Sequence, residues 1–267
     1  MESGNARGLT VSRVDAAEVV QPYKLAACVD CETTGLDPHS HELIELAIIL
    51  FAYEPDSGRI IGIIDEYVGQ REPYRSIPRD ATQIHGLTKA KLKGKVLDTA
   101  RIESIAARAT CYISHNASFD KGFAGRYLPP KRWLCSLNGI DWAAHGCERR
   151  GLQALLTRHC ITPASAHRAG SDAEALLELL ALTNSNGVTY LQELLAGRRS
   201  AAASSAWRRS EPKIDAEVAA AYDGYDGSRR TRSPLEPWAV PGCFGAAVKW
   251  ALIILGVIAA LSLIVSK

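Results

Sequence analysis

The sequence predicts an α/β domain with a mixed β-sheet, followed by a linker and one C-terminal membrane-spanning helix. Apolar runs at 25–33, 43–53 and 59–68 predict three successive strands, the last two joined at a Pro-Asp-Ser-Gly turn over residues 55–58. Beyond Gly86 helical periodicity dominates, with one short strand among the helices. A hairpin followed by alternating helices and strands gives a mixed sheet flanked by helices.

Helical spacing of the apolar residues predicts the later elements. It favours helices over 98–108, 119–127, 152–159 and 172–182. A short strand over 111–114 separates the first two of these helices.

The composition is that of a folded globular protein. Of 267 residues, 47% are hydrophobic and 22% are charged. The net charge is only +2, so charge alone does not predict a nucleic-acid binder. Seven cysteines is an odd number without a framework pattern, which favours reduced thiols in a cytosol-like compartment. Cys28 and Cys31 spell C-x-x-C, but on a strand they face opposite sides, so we interpret both as small hydrophobic residues.

The chain divides into four parts. Residues 1–22 are expected to be a flexible leader, because they contain no apolar run of signal-peptide length. Residues 23–196 form the folded domain. Residues 197–243 form a linker rich in small residues, prolines and arginine pairs. Those arginines suit anionic lipid or nucleic acid, and a solvated spacer is an equal alternative. Residues 244–267 are predicted to form a transmembrane anchor.

The anchor prediction depends on an uncharged run over residues 250–266. These 17 residues span about 25 Å as a helix, the short end of the range for crossing a bilayer. A buried core helix is the alternative. Upstream arginines and lysines outnumber the single Lys267 downstream, which places the N-terminal part on the cytoplasmic side. Cys243 beside this run is an acylation candidate or an unmodified packing residue.

The first strand ends in two acidic residues that share a face. Asp30 and Glu32 are two positions apart, so their carboxylates project side by side. The preceding residues are almost all apolar, as expected for a central strand, and burying two carboxylates there is costly. A divalent cation removes that cost, and oxygen-only ligands suit Mg²⁺ or Mn²⁺. An exposed pair facing solvent is the alternative.

Two further acidic residues open helices. Asp120 follows the short strand at 111–114, and Asp172 stands at the head of the last predicted helix. Taken singly, either is more often a helix-capping residue than a metal ligand.

Together these segments resemble the DEDDh exonucleases, the superfamily of the proofreading subunit of bacterial DNA polymerase III, ribonuclease T and stand-alone bacterial exonucleases. The motifs are Asp-x-Glu-Thr-Thr-Gly-Leu from Asp30, Asn-x-x-Phe-Asp from Asn116 and His-Arg-Ala-x-x-Asp-Ala from His167. Ile-His-Gly-Leu-Thr at 84–88 is similar to an additional nucleotide-site motif, and segments 133–137 and 140–143 are similar to a bacterial branch.

The resemblance implies a ribonuclease-H-like fold with a five-stranded mixed sheet, and removal of 5′-mononucleotides from a 3′ end. It implies two Mg²⁺ ions, with Mn²⁺ as a substitute, held by Asp30, Glu32, Asp120 and Asp172. Asp30 would bridge both ions, Glu32 and Asp172 would complete the site of the attacking water, and Asp120 would serve the second ion. His167 would take the proton from that water, which suits an ordinary pKa near 6.5.

Other residues have a weaker assignment. The resemblance implies that Thr33, Thr34 and Leu36 hold the terminal nucleotide, with strand-end packing as the alternative. His85 is implied as a nucleotide contact or a turn-forming residue, and Asn116 as a substrate contact or a loop-to-helix hydrogen-bonding residue. Alternating lysines at 89–95 depart from the more acidic relatives, and either guide a phosphate backbone or form a solvated surface.

The leading hypothesis is therefore a metal-dependent 3′–5′ exonuclease acting on single-stranded or frayed DNA, anchored to a membrane, with its nuclease domain in the cytoplasm. The bacterial inner membrane is the expected location. The alternatives are an RNA-processing 3′–5′ exoribonuclease of the same chemistry and a non-catalytic nucleic-acid-binding protein on this fold. The expected partners are DNA or RNA 3′ ends and membrane lipid, and the sequence does not identify a polymerase partner.

Overall fold

Five strands form one mixed sheet in the computed structural model, which describes residues 11–197. The sheet order is β3-β2-β1-β4-β5, so β1 is the central strand. β1 pairs antiparallel with β2 and parallel with β4. The strands are β1 (Lys24–Thr33), β2 (Leu43–Tyr53), β3 (Ile60–Gln70), β4 (Cys111–Ser114) and β5 (Arg132–Cys135).

Eight helices accompany the sheet in this part of the chain. They are α1 (Arg79–His85), α2 (Lys89–Leu92), α3 (Thr99–Arg108), α4 (Ala117–Ala124), α5 (Ser136–Gly139), α6 (Leu152–Arg158), α7 (Ala169–Ala181) and α8 (Tyr190–Ala196). Among residues 11–197 no helix has both the length and the hydropathy needed to cross a membrane. The predicted anchor at 244–267 lies outside the described residues.

The side chains of β1 alternate between two apolar cores. Ala26 and Cys28 pack on one face, in a core that includes α7 residues such as Leu176. Val29 and Cys31 pack on the other face, in a core that includes α3 and α4 residues. With helices on both faces, a central strand is apolar throughout, which explains the unbroken run before Asp30.

The predicted elements are mostly confirmed, with shifted ends. The second strand and the short strand have the predicted bounds, Leu43–Tyr53 and Cys111–Ser114. The first helix of the series begins one residue late because Asp98 is its N-cap, accepting the Arg101 N–H at 2.9 Å. The five-stranded mixed sheet implied by the resemblance is also confirmed.

Cys28 and Cys31 lie in opposite cores and both are free thiols, as the strand geometry predicts.

The described part of the N-terminal segment, residues 11–22, is hydrogen-bonded to the sheet. The Val14 N–H donates to the Ile63 carbonyl at 2.9 Å, and the Ile63 N–H donates to the Ser12 carbonyl at 2.9 Å. This part of the segment therefore lies along the outer strand β3.

Candidate active site

The acidic residues meet at one edge of the sheet. β1 and β4 run parallel, so their carboxyl ends lie at the same edge, where open α/β sheets place their ligand sites. Asp30 and Glu32 stand at the end of β1. Asp120 lies in the first turn of α4, which follows β4, and Asp172 lies in the first turn of α7.

Three carboxylates form a tight cluster. One oxygen each from Asp30, Glu32 and Asp172 lies within 4.8 Å of the other two. Asp30 and Glu32 are partly buried, and Asp172 is buried. Like charges at this separation repel strongly when burial removes them from water, so a cation at their centre would stabilise the arrangement.

The faces of β1 explain which helix joins this cluster. Asp30 and Glu32 lie on the same face as Cys28, and α7 packs against that face and brings Asp172 to them. Cys31 points to the opposite face, against which α4 packs. Asp120 therefore meets Cys31, whose thiol donates to its Oδ1 at 3.3 Å. Asp120 lies beside the three-carboxylate cluster and is not a member of it.

The electrostatics of the two strand carboxylates reflect burial and crowding. Burial raises the pKa of Asp30 well above its ordinary value, and the charges of Asp120 and Glu32 raise it further. Burial, followed by the charges of Asp172 and Glu45, raises the pKa of Glu32 to about 8. Both groups hold protons more tightly than free carboxylic acids in the absence of a cation.

The pKa values of the two helix carboxylates, Asp120 and Asp172, are also raised, but each carboxylate accepts a hydrogen bond that opposes the shift. Burial raises the pKa of Asp120 to about 7, and the Cys31 thiol opposes the shift. Burial raises the pKa of Asp172, opposed first by Gln153, whose amide donates to Oδ1 at 3.0 Å. No sequence motif marks Gln153, because it lies on α6 in a segment whose only pattern is helical periodicity.

His167 lies in the loop just before α7. Its backbone N–H donates to Asp172 Oδ2 at 3.0 Å, and its charge lowers the pKa of that carboxyl. The residue is exposed, and its φ is 58°, in the left-handed region that few residues other than glycine adopt. The structure therefore places His167 next to a cluster carboxylate and leaves it accessible to solvent.

A buried glutamate fixes the start of α7. Glu45 on β2 is fully buried and lies opposite Glu32 in the strand register. Its carboxylate accepts from Arg168 at 2.5 and 3.0 Å, from the Ala169 N–H at 3.0 Å and from the Gln70 amide at 2.6 Å. These donors keep the pKa of Glu45 below its ordinary value despite burial. No local pattern identifies Glu45, because Arg168 and Ala169 are more than 100 residues away in the chain.

A small pocket lies beside the cluster. Thr34, Leu36, Pro78 and Ala81 contribute to its lining, and its volume is about 160 Å³. Gly35 belongs to the same lining, and a Cβ at this position would lie 2.2 Å from the His41 ring, so a larger residue would require that ring to move. The structure brings two of the predicted nucleotide contacts, Thr34 and Leu36, together in this pocket.

The remaining predicted substrate contacts have local partners. The Thr33 hydroxyl donates to the Gly35 carbonyl at 2.6 Å. Leu87 N–H donates to Nδ1 of buried His85 at 3.0 Å, so Nε2 carries the proton and has no hydrogen bond of good geometry among the described residues. Burial lowers the pKa of His85 to about 4, opposed by the backbone of Thr33. Asn116 is exposed at the N-cap of α4, and its side chain accepts from Ser118 at 3.0 Å.

The donor chemistry fits divalent cations. The cluster offers only carboxylate oxygens, which Mg²⁺ and Mn²⁺ prefer, and burial, followed by neighbouring negative charges, raises the pKa values of Asp30 and Glu32. A sheet edge with such a cluster, a neighbouring histidine and an adjoining pocket is the arrangement expected of a metal-dependent hydrolase.

A comparison with protein families makes this class specific. The family model described as Exonuclease (RNase_T) matches residues 27–180, more than half of the chain. The chain belongs to this exonuclease family. The prediction of an exonuclease domain is therefore confirmed.

Curated relatives contain the same region within much longer proteins. The DNA polymerase III PolC-type of Thermotoga maritima is 27% identical over an alignment of 188 residues, and the match covers 62% of this chain and 12% of that protein. The DNA polymerase III PolC-type of Streptococcus mutans is 29% identical over an alignment of 160 residues, and the match covers 57% of this chain and 10% of that protein. The chain thus spans about a tenth of the length of these relatives.

Solved structures of similar sequence include Exonuclease X in complex with 5′ overhanging duplex DNA. It is 26% identical and the match covers 64% of this chain and 99% of that chain, with a TM-score of 0.47. Escherichia coli Exonuclease I in complex with a dA16 oligonucleotide is 20% identical, and the match covers 64% of this chain and 42% of that chain, with a TM-score of 0.46.

Proposed function

We propose that the protein is a metal-dependent 3′–5′ exonuclease that releases 5′-mononucleotides from single-stranded or frayed DNA ends. The observation that carries the proposal is the cluster of Asp30, Glu32 and Asp172 oxygens within 4.8 Å, in a chain of the exonuclease family. DNA is favoured as the substrate because the curated relatives are DNA polymerases by name.

Asp30, Glu32 and Asp172 would hold a divalent ion, and Asp120 would serve a second ion from the α4 side of β1. Two Mg²⁺ ions, or Mn²⁺ in their place, would balance four carboxylate charges and stabilise the attacking and leaving oxygens. Occupancy would also lower the raised pKa values of Asp30 and Glu32, because a cation favours the charged form of a carboxylate.

The protein's own residues have three tasks in this mechanism. His167 accepts a proton from the attacking water, a role that suits an accessible imidazole beside Asp172. Gln153 holds the Asp172 carboxylate by its Oδ1 atom. The pocket lined by Thr34 and Leu36 holds the terminal nucleotide, so that the last phosphodiester bond is presented to the carboxylates.

The proposal is tested by product analysis. Purified protein is incubated with DNA and RNA oligonucleotides of the same sequence, each labelled at the 5′ end, with Mg²⁺, with Mn²⁺ or with EDTA. We expect a ladder that shortens from the 3′ end, 5′-mononucleotide products, dependence on the metal and faster reaction with DNA. Faster turnover of RNA would establish the exoribonuclease instead, and binding without any turnover would identify a non-catalytic protein.

We further propose that residues 244–267 anchor the protein in a membrane with the nuclease domain on the cytoplasmic side. The support is the uncharged run at 250–266 and the excess of basic residues before it. Full-length protein should resist extraction by alkaline carbonate and require detergent. A chain shortened to end at Pro241 should be released without detergent and keep its nuclease activity. Full-length protein that dissolves without detergent would contradict the anchor.

A further inference from the structure

An open groove lies next to the candidate active site, between the end of β3 and helices α2 and α3. Its volume is about 500 Å³. We call it the basic groove and define it by six of its lining residues: Arg71, Tyr74, Lys89, Lys95, Val96 and Tyr127. The activity proposed above does not use any of them.

The lysines of the basic groove keep their positive charge available. Lys89 Nζ donates to the Tyr74 carbonyl at 2.8 Å, and Lys95 Nζ donates to the amide oxygen of Gln70. Both acceptors are neutral, so neither ammonium is compensated by a carboxylate in these contacts. Glu72 is the acid that lines the groove, and it accepts the Gly94 N–H at 2.7 Å. The groove therefore presents an excess of positive charge.

Tyr74 presents an aromatic ring to solvent from a fixed backbone. The residue is 88% exposed. Its N–H donates to Glu42 at 3.1 Å and its carbonyl accepts from Lys89, so the main chain is held on both sides. The Arg71 guanidinium lies 5.4 Å from the ring centroid, in a cation–π arrangement. An exposed ring contributes little to core packing, but it offers a face on which a nucleic-acid base can stack.

The basic groove adjoins a depression that lies between it and the start of α7. Lys95 and Val96 line both this groove and a neighbouring depression formed by Glu45, Gln70 and Arg168. Hydrogen bonds run from Lys95 through Gln70 to Glu45 and on to Arg168, the residue that follows His167. The residues that line the groove are therefore connected to Arg168, at the start of the helix that carries Asp172.

We propose that the basic groove binds the unpaired segment of a nucleic acid immediately upstream of the nucleotide being removed. A base stacks on Tyr74, and backbone phosphates lie near Lys89 and Lys95. Stacking on an exposed ring needs a free base face, so the groove selects single-stranded substrate over duplex. The inference rests on the exonuclease activity proposed above and adds where the substrate lies and which form is preferred.

The test compares a long and a short substrate in the full-length chain, purified in mild detergent. The long substrate is a single-stranded DNA octamer, with an RNA octamer as a second arm. The short substrate is the p-nitrophenyl ester of thymidine 5′-phosphate, which cannot reach the groove. The variants are Tyr74→Ala and the pair Lys89→Gln/Lys95→Gln. The matched control pair, Lys24→Gln/Arg132→Gln, removes the same charge at the starts of β1 and β5, the opposite edge of the sheet.

We expect Tyr74→Ala to lower kcat/KM for the octamer about tenfold more than for the ester, the usual effect of losing one base stack. The lysine pair should reduce the slope of log KM against log salt by about 1.4, because each lost phosphate contact contributes about 0.7. The control pair should match wild type with both substrates. Equal losses on octamer and ester, or no loss on either, would overturn the proposal.

A binding measurement distinguishes the groove proposal from the exonuclease proposal. Fluorescence anisotropy of a 5′-fluorescein octamer measures affinity without turnover. Binding by wild type that weakens in the groove variants, without hydrolysis of any substrate, would support the groove and refute the exonuclease activity. Hydrolysis by wild type with unchanged octamer affinity in the groove variants would refute the groove alone, and would leave an acidic protein as the partner to seek for this surface.

Discussion

Replacing Glu32 with glutamine should stabilise the metal-free protein against unfolding and weaken metal binding. One variant therefore tests both effects of this carboxylate. Burial beside Asp172 and Glu45 raises the pKa of Glu32 from 4.5 to about 8. A group with a higher pKa in the folded state binds more protons when folded, so the free energy of unfolding falls as the pH rises between these values. Metal-free wild type should therefore lose stability from about pH 4.5 to pH 8, and the variant should lose less.

The size of the pKa shift sets the expected change in the free energy of unfolding. At about 1.4 kcal/mol for each tenfold change in proton affinity, the rise from 4.5 to about 8 gives an upper limit of about 5 kcal/mol. Asp30 and Asp172 share the repulsion, and they ionise more readily once Glu32 is neutral, so we expect a gain on the order of 2 kcal/mol at pH 7. For a domain of this size, that gain raises the melting temperature by about 4–8 °C.

The assay is thermal unfolding followed by circular dichroism, in EDTA, from pH 4.5 to 8.5. Wild type and Glu32→Gln should melt together at the acid end and diverge as the pH rises. Glu103→Gln, which changes an exposed glutamate on α3, controls for the substitution itself. Saturating Mn²⁺ should reverse the order at pH 7.5, because the cation stabilises the ionised wild-type cluster and the variant lacks one of its ligands.

Two results would refute this reasoning. Parallel melting curves for wild type and variant across the whole pH range in EDTA would show that Glu32 is not forced into a repulsive buried cluster. An equal increase in melting temperature with Mn²⁺ for both proteins would show that Glu32 is not a metal ligand.

Three further predictions concern the site. Asp30→Asn or Asp172→Asn should nearly abolish nucleotide release in Mg²⁺ while leaving a cooperative thermal transition in EDTA, and turnover at the wild-type rate would contradict the metal-site assignment. His167→Ala should lower kcat by roughly 10²–10⁴-fold with Mn²⁺ affinity nearly unchanged in calorimetry; a large loss of affinity would make it a ligand. Glu45→Gln should lower kcat by about tenfold with little change in KM for the thymidine ester, because it loosens Arg168 and the start of α7. A change in KM alone would argue against this positioning role.

The positions of the first four strands could be predicted from the sequence, because the patterns that indicate them are local. β2 and β4 have the predicted bounds, and β1 and β3 differ by one or two residues at their ends. The short elements α1, α2, α5, α8 and β5 were not predicted. Four to seven residues carry too little periodicity to distinguish a helix turn from a loop, and tertiary packing decides their conformation.

The start of α7 shows what local patterns cannot provide. Periodicity placed the start at Asp172, but the helix begins at Ala169. Arg168 makes no side-chain cap of its own, and the Ala169 N–H donates instead to Glu45, which is 124 residues away in the chain. The helix boundary is therefore set by a contact that exists only after β2 and α7 have packed together.

By itself, the sequence predicted the pair of carboxylates at the end of the first strand. The alternation of a strand places Asp30 and Glu32 on one face, and the apolar run before them requires a central strand, so two carboxylates had to meet at a sheet edge. Only the tertiary structure decided which acids join them. α7 packs on the face that carries Asp30 and Glu32 and supplies Asp172, whereas α4 packs on the Cys31 face and holds Asp120 against that thiol. The choice depends on which helix covers which side of one strand, and no local pattern encodes that.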